Sequence, residues 1–217
     1  MASIPILREA SPRKAAGPSL VEFSERLAAG AILALAIPVL GLSAAALALL
    51  SRRSPLIAHR RVGWRGSTLW MLKLRTMWDH HTGSSRGWIE YIEDAAGPLP
   101  KEAHDPRVCS AFARFCRRHS IDELPQLVHV VRGEMSLVGP RPLTAPELTR
   151  YYGEDAAEIL EVKPGVAGLW QVSGRNRLTY AERLAFDLEL VRSHSLRMYF
   201  RVLIRTIAEV FRGANSW

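Results

Sequence analysis

The sequence predicts an α+β fold, mainly helical, in which a long apolar helix near the N-terminus precedes a compact polar domain carrying a short β-hairpin. Three observations predict it: the absence of any charge between Leu27 and Ser51, a strand–turn–strand pattern between Arg60 and Met77, and a basic amphipathic stretch from Ser195 to Arg212. With 217 residues, 48% apolar and 23% charged, the chain holds one domain's worth of core. This composition excludes a disordered, collagen-like or disulfide-scaffold protein.

Residues 1–20, with Pro5, Pro12, Gly17 and Pro18 among scattered charges, read as a flexible tail. The segment 21–53 is long and apolar enough for a membrane helix, with Arg26 on one side and Arg52 and Arg53 on the other. A secretory signal would be shorter and closer to the start. Pro38 lacks an N–H and clashes with the preceding turn, so a kink is expected there, loosened further by Gly41 and Ser43. The arms Leu27–Ile37 and Val39–Ser51 each rise only about 16 to 20 Å, against a hydrocarbon core of roughly 30 Å. Periodicity therefore leaves two courses open, a span and a hairpin that dips into one leaflet. The hairpin requires a hydroxyl or protein group to satisfy the carbonyl that Pro38 frees.

The polar domain is expected over 54–195. Arg61-Val62-Gly63, a turn at Trp64-Arg65-Gly66 and a partly alternating strand over Leu69–Met77 make the hairpin. Trp78–Ala103, rich in Gly, Pro and Ser, reads as a lid-like loop with one short helix. Its His80-His81 pair has no third ligand at a recognisable metal-binding spacing. Cys109 and Cys116 form no CxxC motif and read as reduced thiols. The formal charge is +8, and every basic residue except Lys14, Lys73, Lys101 and Lys163 is Arg. Arg suits bidentate recognition of phosphate, but codon usage in a GC-rich genome gives the same total, so placement has to decide.

The chemistry concentrates at Ser120-Ile121-Asp122-Glu123-Leu124-Pro125-Gln126. Pro125 fits the first turn of a helix with Leu124, Leu127, Val128 and Val131 on its apolar face and Gly133 at its end. Asp122 and Glu123 then sit at an N-terminus. Ser120-x-x-Glu123 also spells a capping box, so the pair has a structural reading beside the catalytic one. Further on, Arg141 is held between Pro140 and Pro142, and Val162–Asn176 is a glycine-punctuated loop carrying Lys163 and Arg175. In the final segment, 196–217, Arg197, Arg201 and Arg205 recur every fourth residue beside a wide apolar surface. That pattern fits an interfacial helix, or a core helix with a solvated Arg edge.

These blocks, in this order, resemble the bacterial sugar transferase family, specifically the small monotopic enzymes that act on polyprenyl phosphate. The resemblance runs from Val21 to Gly213. It rests on the Pro-containing apolar segment, Arg61-Val62-Gly63, Lys73-Leu74-Arg75-Thr76-Met77, Asp105-Pro106-Arg107-Val108, Ser120 to Gln126, Met135 to Pro142, Lys163-Pro164-Gly165, Gln171 to Asn176, and Asp187. It implies a re-entrant membrane helix, a catalytic domain on the cytoplasmic face of the bacterial inner membrane, and a C-terminal interfacial helix. It further implies transfer of a sugar 1-phosphate from a nucleotide diphosphosugar, UDP-linked, to undecaprenyl phosphate, with Mg²⁺ as cofactor, as the first step of polysaccharide or glycoconjugate assembly.

By position, the resemblance makes Asp122 the nucleophile and Glu123 the Mg²⁺ ligand, and places Lys73, Arg75, Arg118, Arg141, Arg175, Asn176 and Asp187 on substrate. Physical chemistry is consistent with this: an anionic acceptor must approach an anionic donor, a problem that cations, a metal and a positioned carboxylate solve. The chain departs from the family pattern at Ile37-Pro38, where Ser-Pro is common, so Ser43 is the expected source of the satisfying hydroxyl. It departs again at Ser24-Glu25 and at His59-Arg60-Arg61. A basic, membrane-tethered protein that only binds nucleic acid or anionic lipid is the alternative class; it leaves the Asp122–Glu123 pair unexplained, and no nucleic-acid motif is recognisable.

Overall fold

The computed structural model describes residues 19–78, 87–94, 105, 107–108, 110–174, 177–193 and 195–213. The chain is mainly helical with a small sheet and one long apolar N-terminal helix. That helix, α1 (Leu20–Ser51), is 32 residues long, about 48 Å at 1.5 Å per residue. Ser19 caps it by accepting the Glu22 N–H, and Arg52 closes it in the left-handed conformation. Helical structure runs through Pro38.

One stripe of α1, through Glu25, Ala29, Ser43 and Leu47, is buried against the rest of the protein. The other faces carry bare apolar side chains, with Leu20, Leu35, Leu42 and Leu49 each at least 75% exposed. Ser43, expected to satisfy the backbone near Pro38, is buried on this stripe and lies near Cys116, whose thiol its hydroxyl pulls down in pKa against the effect of burial.

The hairpin forms as expected. β1 (Leu56–Val62) pairs antiparallel with β2 (Thr68–Leu74), from Leu56 opposite Leu74 to Val62 opposite Thr68. The stretch expected to hold a short helix contributes a strand in its described part: β3 (Ile89–Ile92) joins the other edge of β1 in parallel. Its sequence, Ile-Glu-Tyr-Ile, alternates polarity too briefly to signal a strand on its own, and the pairing with β1 decides it. His80, His81, Cys109 and the remainder of that loop lie outside the described residues.

Next come α2 (Ala111–Arg118), capped by Ser110 on the Ala113 N–H, a 3₁₀ turn (Ile121–Gln126) and α3 (Leu127–Arg132). Gly133 ends α3 at φ 79°, and the Arg26 guanidinium lies where a Cβ would stand. The face of α3 that packs inward is Leu127 and Val130, whereas Val131, expected inside, is 40% exposed beside α1. The expectation counted from Leu124 as if in an α-helix; the tighter 3₁₀ turn shifts the phase.

β4 (Ser136–Val138) pairs in parallel with β5 (Gly165–Ala167). Gly139 and Gly165 lie back to back, so closely that a Cβ on either would collide with the other's backbone. This contact brings together the segments that carry Arg141 and Lys163, distant in sequence. Between these strands stand α4 (Ala145–Glu147), capped reciprocally by Thr144 and Glu147, a π-helical turn (Leu148–Tyr152) and α5 (Ala156–Leu160). α6 (Tyr180–Ser193) and α7 (Leu196–Arg212) close the chain.

Both arms of α1 pack on this single domain. Ala29 and Leu33 join a cluster with Leu69, Leu124, Leu127 and Val130; Leu40, Ala44 and Leu47 join another with Leu74, Ala113, Cys116 and Ile121. The 3₁₀ turn therefore straddles the middle of the helix. Glu25 fixes the N-terminal arm: its Oε1 accepts from the Ser136 hydroxyl at 2.6 Å, the Leu137 N–H at 3.1 Å and the Tyr199 hydroxyl at 2.7 Å. Glu25→Ala strands three donors at one point, and we expect it to destabilise the protein by about 3 kcal/mol in denaturant titrations. Glu25→Gln, which keeps an acceptor, is expected to lose less, and equal losses would show that the hydrogen bonds do not matter.

Candidate active site

Asp122 and Glu123 occupy the first residues of the 3₁₀ turn, and the capping-box reading does not hold. Ser120 has φ 54°, its hydroxyl makes no cap bond, and the Glu123 N–H bonds to the Ser120 carbonyl at 3.1 Å. The acidic side chains are thus left for other partners. Glu123 accepts from the Lys73 ammonium of β2 at 2.6 Å, with Nη2 of Arg141 at 3.6 Å from the same oxygen. Asp122 is only 8% exposed and lies near Cys116; burial foremost, then the Asp122 charge, push that thiol up to about 11.

Burial and the nearby Arg141 hold Lys73 below the ordinary lysine range, opposed by Glu123 and Asp122. Two carboxylates and two cations are thereby gathered in a place with little water, where each charge acts at longer range than at the surface.

Arg141 is steadied from behind. Its guanidinium lies 5.8 Å from the centroid of the Trp170 ring, and Arg183 of α6 lies 4.8 Å from the same ring and 4.9 Å from Tyr180. One helical turn beyond Arg183, Asp187 is fully buried and accepts from the Tyr152 hydroxyl at 2.8 Å. Burial pushes its carboxyl up to about 7, against the opposing pull of Tyr152, of the Arg141 side chain and backbone, and of Arg183.

The structure thus brings Lys73, Asp122, Glu123, Arg141 and Asp187 into one connected set. Arg75 is engaged elsewhere, with the Ser54 carbonyl at 2.7 Å and with Glu90 of β3 at 2.6 Å. Arg118 donates to the Gly213 carbonyl at the end of α7. Arg175 and Asn176 lie outside the described residues. Sequence reasoning passed over Arg183; its spacing of four from Asp187 on one helix was the available signal. A cavity of about 400 Å³ bordered by Glu22, Glu25, Trp64, Lys163 and Tyr199 is separate from the acid pair.

The match to the family of bacterial sugar transferases covers residues 19–213. The chain belongs to that family. It is 40% identical over 166 residues to the exopolysaccharide production protein ExoY of Sinorhizobium fredii, covering 73% of this chain and 71% of the relative. The UDP-glucose:undecaprenyl-phosphate glucose-1-phosphate transferase of Caulobacter vibrioides is 34% identical over 199 residues, 88% of this chain and 69% of the relative. The undecaprenyl-phosphate galactose phosphotransferase of Salmonella typhimurium is 39% identical over 162 residues, 73% of this chain but 34% of that longer protein. In this sugar transferase the match therefore runs from the long apolar helix through the acid pair to the end of α7.

Asp187 makes stability depend on pH. Its carboxyl, raised from 3.8 to about 7, favours the folded state while protonated, so that contribution is complete below about pH 4 and lost as pH rises through 7. In that window the loss approaches about 1.4 kcal/mol per pH unit. The difference in unfolding free energy between this protein and Asp187→Asn, followed from pH 4 to 7 in detergent, is expected to shift by a few kcal/mol toward the variant. A difference that does not vary with pH would place the Asp187 carboxyl in the ordinary range.

Proposed function

We propose that this transferase moves a sugar 1-phosphate from a UDP-sugar to undecaprenyl phosphate in two displacements through Asp122, starting a polysaccharide or glycoconjugate on its lipid carrier. The observation that carries this reading is the buried acid pair beside Lys73 and Arg141: one carboxylate is held by cations and the other stands next to it. In the first displacement an Asp122 oxygen attacks the phosphorus that bears the sugar. The bond to the bridging oxygen breaks and uridine monophosphate leaves with that oxygen. In the second, an oxygen of the lipid phosphate attacks the same phosphorus, the acyl phosphate bond breaks and Asp122 is regenerated. The acceptor phosphate is already largely ionised at neutral pH and needs little help from a base.

Lys73 and Arg141 oppose the charge that builds on the transferred phosphoryl group, and Trp170 with Arg183 keeps Arg141 in register. No cluster of three His, Cys, Asp or Glu side chains occurs among the described residues, but Mg²⁺ commonly takes one or two carboxylates and completes its shell with substrate phosphates. The adjacent Asp122 and Glu123 suit that mode. Glu123 would hold the ion, which when bound would neutralise charge on the donor diphosphate.

The proposal places the domain on the cytoplasmic face, with α1 entering one leaflet and returning around Pro38. Support comes from the packing: Glu25 and Leu47, about 33 Å apart along the helix, both bury into the same domain, whereas the far half of a spanning helix would leave it behind. The donor nucleotide follows the activity of the Caulobacter relative, and the lipid acceptor that of the Caulobacter and Salmonella relatives.

Mixed with Mg²⁺ and a panel of UDP-sugars but no acceptor, the purified protein is expected to gain the mass of one phosphosugar and release uridine monophosphate. Asp122→Asn, or EDTA, should prevent this. Transfer to added lipid phosphate without any adduct would replace the two-step route with a direct displacement. Pro38→Ala is expected to straighten α1 into a span and lower activity; unchanged cysteine accessibility on both sides of the membrane would count against the hairpin.

A further inference from the structure

We propose that His119 and Arg118 are positioning residues that join the end of α7 to the turn bearing Asp122, so that seating α7 on lipid sets the geometry of that turn. The inference rests on the assignment of Asp122 above. The last carbonyls of α7 have no partner within the helix and carry its negative dipole end. The Val210 carbonyl lies 2.9 Å from Nδ1 of His119, and the Gly213 carbonyl lies 2.9 Å from Nε of Arg118. A carbonyl only accepts, so Nδ1 carries the proton. The Phe115 ring packs on the imidazole, with centroids 4.7 Å apart.

The joint is tightly built on both sides. Gly213 has φ 59°, and a Cβ there would stand 2.8 Å from Cγ of Arg118 and 3.1 Å from Cε1 of His119. On the other side, Ser120 follows His119 directly and holds φ 54°, a conformation that a non-glycine residue keeps only when its surroundings impose it. The Ser120 carbonyl then takes the Glu123 N–H. Only Ser120 and Ile121 separate the joint from Asp122.

The outward surface of α7 shows what would push on the joint. Leu196, Phe200, Ile204, Ile207 and Phe211 form a bare apolar stripe, with Arg197, Arg201 and Arg205 exposed along its edge. The opposite side buries Val202 in the core and ties Tyr199 to Glu25 of α1. An apolar stripe edged with guanidinium groups matches a bilayer surface containing anionic headgroups. Held by α1 near one end and by His119 and Arg118 at the other, α7 is placed to pass a change at the lipid surface into the turn.

Hydrogen exchange followed by mass spectrometry tests this on the full chain, with and without vesicles of phosphatidylethanolamine and phosphatidylglycerol, and needs no turnover. Vesicles are expected to protect α7 and to slow exchange in the peptide spanning 119–124. In His119→Ala, α7 should still be protected, while the turn exchanges about fivefold faster than in the unmodified protein, the effect of one lost hydrogen bond of about 1 kcal/mol. His119→Asn, whose amide nitrogen can replace Nδ1, should restore the turn. Gly213→Ala should loosen the turn from the other side. In transfer assays the loosened variants should lose kcat with the donor KM unchanged. Identical turn exchange in His119→Ala and the unmodified protein would overturn the proposal, as would loss of α7 protection together with the turn. Absence of transfer in the unmodified protein would sink the assigned activity and leave the exchange result readable.

Discussion

Two neighbouring carboxylates are kept largely out of water, and most of the architecture answers that constraint. Anions so placed require cations in fixed positions, because an unpaired buried charge is among the most unfavourable features a fold can contain. Lys73 is delivered by the β1–β2 hairpin, whose register places it opposite Ile57 and beside the turn. Arg141 is delivered by the contact of Gly139 with Gly165, which no other residue pair can make. The turn itself is anchored by Ile121 in one cluster and Leu124 in the next, with Asp122 and Glu123 between the anchors. Each of these charged groups therefore sits on a backbone element held in place by packing or pairing elsewhere in the fold.

The second demand follows from the proposed lipid acceptor. α1 is the floor of the domain: its buried stripe completes two of the hydrophobic clusters, so the turn bearing the acid pair is not separable from the long apolar helix. The polar ties at its N-terminal arm, Glu25 to Ser136 and Tyr199, and Glu22 to Lys163 at 2.8 Å, link the same helix to β4, α7 and the Lys163 loop. A helix held at so many points would carry the domain with it on entering a bilayer. α1 and α7 both leave apolar side chains exposed, and α7 packs as a core helix on its inward side, through Val202.

Several site residues have structural occupations that residue type could not reveal. Arg75 closes onto Glu90 and the Ser54 carbonyl, and Arg118 onto the end of α7, although the family resemblance places both on substrate. A guanidinium offers the same five donors to a carbonyl, a carboxylate or a phosphate. Asp187 likewise acts from behind Arg141, with Tyr152, which the π-helical turn presents to it.

What was legible in the sequence was local or chemical. Absence of charge marked α1, alternation around Trp64-Arg65-Gly66 marked the hairpin, Gly133 marked a helix end, and the co-linear motifs marked the family. Each is a property of neighbouring residues or of residue type in order, and needs no knowledge of what lies across the chain. The capping box at Ser120, the inward face of α3 and the strand β3 were decided otherwise. In each case a contact between residues far apart, or the phase of a 3₁₀ turn, outweighed the local pattern. By itself the sequence determined which groups the protein has and the elements on which most of them ride. Only the tertiary structure decided which cation meets Glu123, because charge pairing depends on distance across the fold, and distance is not written in spacing along the chain.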